Sequence, residues 1–258
     1  MSSGLGLEGR VALVTGGTSG IGRACVRRLR DEGMAVAFTG RDAARGEAVA
    51  REAGATFVSC DHRDREASDG AVEEALELGG GRLDVLVANA GVLFQGSIEA
   101  TPEAVFRELL EVNLTSLFRI SRACFAPMRD DGGGSMIHIA SDAGMRAVHE
   151  IAAYSVTKAG VIAVSELFGA EGAPHRIRAN AVCPGDIVPG VQATPTGHPD
   201  HAEDPASWVL PPSRRFGRGE DVAGLVAWLA SDESAHMTGA TLRIDGGTGA
   251  AMRVATRG

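Results

Sequence analysis

Residues 10–33 read RVALVTGGTSGIGRACVRRLRDEG. The opening VALV is short, apolar and β-branched, the composition of a strand buried on both faces. Glycines follow at 16, 20 and 22, and after them comes RACVRRLRDEG, an amphipathic run of helical length. A strand, a glycine-rich loop and a helix in immediate succession specify the first βα unit of a nucleotide-binding sheet. Gly16, Gly20 and Gly22 allow a tight turn, a close approach of backbone to a pyrophosphate, and tight packing of helix on strand. The helix N-terminus then presents unpaired N–H groups and a positive dipole end to an anion.

Outward from this unit the same alternation repeats. AVAFTG, ATFVSCD, LDVLVANAG, SMIHIAS, IRANAVCPG and TLRIDGG read as strands with helix-length segments between them. That pattern predicts an α/β fold: one Rossmann-like, doubly wound domain over residues 1–258, with a mostly parallel sheet of about seven strands and helices on both faces. Reactive side chains are expected at the C-terminal ends of the strands. The one compositional break is residues 186–217, with prolines at 189, 195, 199, 205, 211 and 212. This segment is expected to be a long substrate loop or lid.

The chain has 258 residues, 44% hydrophobic and 22% charged, with a formal net charge of -8. The acidic balance argues against nucleic-acid and anionic-membrane partners, because no basic face is available to displace counterions. The N-terminus lacks a basic segment followed by an apolar one, so a cytoplasmic protein is expected. Cys25, Cys60, Cys124 and Cys183 are scattered through apolar elements and read as reduced core residues. His138, inside an apolar strand, reads as a core histidine. His198 and His201 with Asp200 and Glu203 lack convincing metal-site spacing, and no metal is expected.

AAYSVTKAG, residues 152–160, holds the only tyrosine, Tyr154, and the only lysine among 25 lysine and arginine residues, Lys158. Four residues apart on a helix, the two share a face. A phenol can give a proton to a carbonyl oxygen or take one from an alcohol, and its pKa of about 10 must fall before it works near neutrality. The ammonium of Lys158 is expected to lower it.

Three motifs together, TGGTSGIG at 15–22, ANAG at 88–91 and Tyr154-x-x-x-Lys158, resemble the short-chain dehydrogenase/reductase family over nearly the whole chain. The resemblance implies a nicotinamide-dependent oxidoreductase with a catalytic tetrad of Asn113, Ser141, Tyr154 and Lys158. Ser141 would orient the substrate oxygen, and Asn113 would hold a water in a proton relay with Lys158. It also implies cofactor contacts from Gly16, Thr18, Ser19, Gly20, Ile21 and Gly22, from Asp61 beside the adenine, from His62, from Asn89, Ala90 and Gly91, and from Pro184, Gly185 and Ile187. Where the family often has threonine this chain has Pro189, with Thr194 as a substitute and Asp186 an unusual neighbour of the ring.

At the end of the second strand, where an enzyme specific for NAD carries an acid, FTGRD places Gly40 and then Arg41. A guanidinium there suits a 2′-phosphate, so NADP(H) is the expected cofactor, with NAD(H) as the alternative. The competing reading makes Arg41 a solvated loop residue. Val92, Leu93, Met145, Arg146, His149, Ile151 and Trp208 are expected to line the substrate pocket. The function expected is a carbonyl reductase or secondary alcohol dehydrogenase for a small-to-medium ketone or alcohol. A 3-oxoacyl-carrier-protein reductase is the alternative in the same class, and a non-catalytic NADP(H)-sensing protein is the alternative in another. The resemblance further implies a homotetramer or homodimer.

Overall fold

The computed structural model describes residues 4–188 and 210–250. Seven strands form one parallel sheet: β1 (Val11–Val14), β2 (Ala35–Gly40), β3 (Thr56–Ser59), β4 (Val85–Ala88), β5 (Gly134–Ile139), β6 (Ile177–Pro184) and β9 (Thr241–Ile244). Their order is β3-β2-β1-β4-β5-β6-β9. The chain reverses direction across the sheet between β1 and β4, and in folds of this kind ligands bind at that switch point. The predicted fold class is therefore observed. One feature is additional: β7 (Ile187–Val188) pairs with β8 (Gly217–Arg218) as a separate two-residue ladder. Neither segment is long enough to leave an alternating pattern in the sequence.

Period-two alternation splits the sheet's side chains between two cores. Ala12, Val14, Val36, Phe38, Val85, Val87, Ile137 and Ile139 face one side and pack on α1 (Gly20–Asp31) and α8 (Gly219–Ala230). Val11, Leu13, Ala37, Leu86, Ala88 and Met136 face the other, against α3 (Arg65–Leu78), α5 (Ser116–Asp130) and α7 (Ala152–Gly172). Apolar residues at successive positions of one strand are thus all buried, as the sequence pattern requires. The helix α2 (Ala43–Ala53) packs outside β3, capped by Asp42 at its start and by Gly54, in the left-handed region, at its end.

Two irregularities position the site. Between α4 (Glu103–Leu110) and α5 the helix passes through a π-helical stretch, Glu111–Thr115, that carries Asn113. Such single-turn insertions rotate the following residues and recur at functional sites. The short α6 (Asp142–Met145) lies directly on α7, because a Cβ on Gly144 would come within 2.6 Å of the Lys158 carbonyl. Only glycine allows that approach, which brings Ser141 at the head of α6 next to Tyr154. Among the described residues no helix is long and apolar enough to cross a membrane.

The expected lid at 186–217 is described only at its two ends. Pro189, Thr194, His198, Asp200, His201, Glu203 and Trp208 lie outside the described residues.

Candidate active site

The glycine-rich loop is held by a short hydrogen-bonded strap between β1 and β4. Asn89 donates from Nδ2 to the carbonyls of Thr15 and Gly16 (3.0 and 3.2 Å). The hydroxyl oxygen of Thr15 in turn accepts from the backbone of Asn89 and Ala90, both at 2.9 Å. Asn89 thus holds the two strand ends in fixed relation. Thr15 is an equal partner in that strap and was not singled out from sequence. Gly16 and Gly20 take positive φ (67° and 50°), and a Cβ on Gly22 would sit 2.1 Å from the Gly16 carbonyl oxygen.

The first turn of α1 is open to an anion. Ser19 occupies its N-cap but accepts no hydrogen bond from the helix, and no acidic residue stands in the first turn. In α2 and α3, by contrast, Asp42 and Asp64 cap the helix with their carboxylates. A dinucleotide's phosphates would supply the acceptor that α1 lacks. Ile21 turns its side chain toward the core, leaving its backbone to the loop. Thr18 lies over Gly40, where a Cβ would be 2.3 Å from the Thr18 methyl carbon. A side chain at position 40 would require Thr18 to shift. Arg41, next along, is exposed and makes no ion pair or hydrogen bond among the described residues.

His62 departs from expectation. Its ring is buried, not turned toward a ligand, with Nε2 2.8 Å from Thr39 Oγ1 and Nδ1 3.3 Å from Ser68 Oγ. Burial, first, and the nearby cations of Arg119 and Arg41 pull its pKa to about 4, against the opposing pull of Asp61, so the ring is neutral. Thr39 Oγ1 also accepts from the Gly16 N–H at 3.1 Å. His62 therefore supports the loop through Thr39. The carboxylate of Asp61 is occupied by Arg63, at 3.0 Å from its backbone N and from Nε, which holds its pKa below the ordinary range.

At the other end of the site, Ser141 caps α6 by accepting from the Ala143 N–H at 3.2 Å. It donates to Asp142 Oδ1 at 3.1 Å and lies close enough to Tyr154 to act on the phenol's titration. Tyr154 is buried, and burial raises its pKa, outweighing the opposing influence of nearby Ser141. That corrects the expectation of a phenol acidified by Lys158 in the free chain. The reason is geometric: Lys158 Nζ sits 5.6 Å from the ring centroid and spends a proton on the Ile139 carbonyl at 2.8 Å. Lys158 is itself buried, and desolvation brings its pKa down to about 8. It is thus poised to gain or lose a proton near neutrality.

The side chain of Asn113 is anchored by three hydrogen bonds. Oδ1 accepts from Val92 N at 2.8 Å, and Nδ2 donates to Val92 O at 2.9 Å and Thr157 Oγ1 at 3.1 Å. It ties the segment after β4 to α7. A Cβ on Gly91 would lie 3.3 Å from Asn113 Oδ1 and 3.5 Å from Lys158 Nζ, so the bare glycine keeps the approach to both groups open.

Val92, Leu93 and Ile151 pack around Tyr154 in a third apolar cluster, joined by Phe94 and Phe106, which sequence reasoning did not select. Met145 at the end of α6 and Arg146 and His149 between α6 and α7 are exposed, and Gly96 pairs with Ile151 at the start of α7. Pro184 ends β6, and Gly185 lies against Asp245, whose Cβ would be 2.8 Å from an added Cβ. Ile187 packs its side chain beside the α1–α8 core. His138 is a core residue, bonded to Ser121 Oγ at 2.9 Å, and the four cysteines are buried and unpaired.

Comparison with known proteins agrees with this geometry. The family model described as Enoyl-(Acyl carrier protein) reductase matches residues 16–249. The chain is 34% identical over 240 residues to the 3-oxoacyl-[acyl-carrier-protein] reductase MabA of Mycobacterium tuberculosis, covering 93% of each. It is 36% identical over 249 residues to the 3-alpha-(or 20-beta)-hydroxysteroid dehydrogenase of the same organism, covering 95% of this chain and 92% of that one. Among solved structures, a short-chain type dehydrogenase/reductase from Mycobacterium marinum superposes with a TM-score of 0.83 at 30% identity, over 95% of this chain and 96% of the other.

Proposed function

The chain belongs to the short-chain dehydrogenase/reductase family of nicotinamide-dependent oxidoreductases, and from that premise we propose that it is an NADP(H)-dependent carbonyl reductase or secondary alcohol dehydrogenase. The observation that carries the reading is the convergence of Ser141, Tyr154 and Lys158 at the C-terminal edge of the sheet, in line with the open end of α1. Ser141 and Tyr154 bind the substrate oxygen from one side. Tyr154 gives its phenolic proton to that oxygen in reduction and takes one back in oxidation. A nicotinamide held at the glycine-rich loop would supply or accept the hydride. Lys158, with a pKa near 8, neutralises the developing phenolate and passes a proton to it. Asn113 keeps the segment after β4 and α7 in register so that Lys158 reaches the site.

Preference for NADP(H) rests on Arg41, exposed beside the strand end and without an ion pair or hydrogen bond among the described residues, and on glycine in the place of an acid at position 40. The arginine fork would take a 2′-phosphate through charge-assisted bonds. Apolar walls from Leu93, Phe94 and Ile151 suit a medium-sized ketone. A second reading, a 3-oxoacyl-carrier-protein reductase, is favoured by the similarity to such an enzyme. Against it, Arg129 is paired with Asp130 at 2.9 Å and offers little to an acidic carrier. The two related chains carry the names of quite different substrates, so the substrate must be found by assay. The exposed apolar side chains Phe118 on α5 and Val156 and Leu167 on α7 support a homo-oligomer through these helices. NADPH oxidation against a panel of ketones, acyl thioesters and steroids tests the proposal, and activity with none of them would count against it.

A further inference from the structure

The residue after Ser141 is Asp142, a carboxylate in the wall of the site to which the reaction as described gives no task. Its Oδ1 lies 3.1 Å from Ser141 Oγ, and Ser141 already accepts from the Ala143 N–H. A serine hydroxyl has one proton to give. With Asp142 ionised, that proton points to the carboxylate, and Ser141 meets Tyr154 and the substrate only with lone pairs. A carbonyl oxygen that is becoming an alkoxide needs donors, so Ser141 in this state is aimed the wrong way for reduction.

We infer that Asp142 is a positioning residue that competes with the substrate oxygen for the single proton of Ser141, withholding it when ionised and releasing it when protonated. The inference rests on the oxidoreductase reading of the site above. In the protonated state the carboxyl can donate to Ser141 Oγ, and Ser141 donates onward to the substrate oxygen. No bond is made or broken by Asp142 in either state.

The surroundings favour protonation. Burial raises the pKa of Asp142, the Ser141 and Ala143 hydrogen bonds oppose that rise, and the carboxylates of Asp186, after β6, and Asp245, after β9, add to it. From α7, Tyr154 faces the same carboxylate, and from β6 so does Cys183, the pKa of each being raised in part by its charge. Lys158, the nearby cation on α7, is turned to the Ile139 carbonyl. Asp142 is therefore expected to titrate above the ordinary carboxylate range, with reduction faster on the acid side of its midpoint.

Two measurements on the full chain decide the matter. Carboxyl 13C NMR with labelled aspartate follows Asp142, its resonance identified by loss in Asp142→Asn or, should that variant misfold, in Asp142→Val. Removing the donated hydroxyl with Ser141→Ala should shift the Asp142 midpoint upward. An unchanged midpoint would overturn the inference, and this readout needs no activity. The second measurement is kcat/KM for ketone reduction against pH. Wild type should gain about tenfold or more as pH falls through the midpoint, and the Asp142 variant should be flat there. The same acid limb in the variant would also overturn it. A wild type that reduces no ketone would instead contradict the proposed reaction and leave the carboxyl titration to decide the role of Asp142.

Discussion

Replacing Gly22 with alanine should damage both the fold and dinucleotide binding, by an amount that follows from the loop geometry. The added Cβ would stand 2.1 Å from the Gly16 carbonyl oxygen, 2.9 Å from its carbon and 2.6 Å from Asn89 Nδ2. Two of these three atoms belong to backbone, so no rotamer change relieves them. The loop must move away from α1, at a cost of about 1–3 kcal/mol for overpacking. Asn89 is pushed off the Thr15 and Gly16 carbonyls, which adds about 1 kcal/mol for each hydrogen bond lost. A total of about 3–5 kcal/mol corresponds to a fall in Tm of roughly 6–20 °C for a chain of this size. Gly70→Ala is the matched control. It lies inside α3, a Cβ there meets nothing within 4 Å, and the gain in helix propensity should raise stability by up to about 1 kcal/mol. Calorimetry gives the Tm values, and quenching of protein fluorescence by NADPH gives the dissociation constants. Equal Tm and equal NADPH affinity in wild type and Gly22→Ala would refute the reasoning.

Arg41→Ala should weaken NADPH binding by about 10- to 100-fold, through loss of charge-assisted bonds, and leave NADH binding little changed. Titration of both cofactors checks this, and an unchanged ratio would remove Arg41 from the cofactor site. Acid should destabilise the fold through His62 and His138, whose pKa values are pulled by burial to about 4 from 6.5. Because the folded state resists their protonation, their contribution is intact above pH 6.5 and is lost as pH falls toward 4, at about 3 kcal/mol each. Urea unfolding at pH 7 and pH 4.5 should show the loss, with a smaller slope in His138→Leu, and equal slopes would contradict it.

Much of this was legible in the sequence because burial on both faces of a parallel sheet leaves unbroken apolar strands, and VALV, VLVA and MIHI announce themselves without structural help. The glycine spacing and the Tyr154–Lys158 pair were legible because each needs a particular residue type at a fixed distance along one element. Other features depend on where chains meet in space. His62 is expected from the sequence among the cofactor contacts, yet it turns inward to Thr39 because β2 and β3 run side by side there. The π-helical turn at Glu111–Thr115 has no composition of its own, since any helix-forming residues can absorb one extra position. The raised pKa of Tyr154 follows from burial by the surrounding cluster, which no spacing encodes.

The central claim is that Tyr154 transfers the proton and Lys158 makes that transfer feasible near neutral pH. Steady-state kcat for reduction of a competent ketone, measured across pH in wild type, Tyr154→Phe and Lys158→Arg, tests it most directly, with circular dichroism to verify folding. Tyr154→Phe should lose roughly 100-fold or more, the worth of a general acid. Lys158→Arg keeps a positive charge, but a guanidinium does not release its proton near pH 8, and its planar fork does not fit where a compact ammonium reaches the Ile139 carbonyl. It too should lose most activity while remaining folded. Wild-type rates in Tyr154→Phe would contradict the account outright.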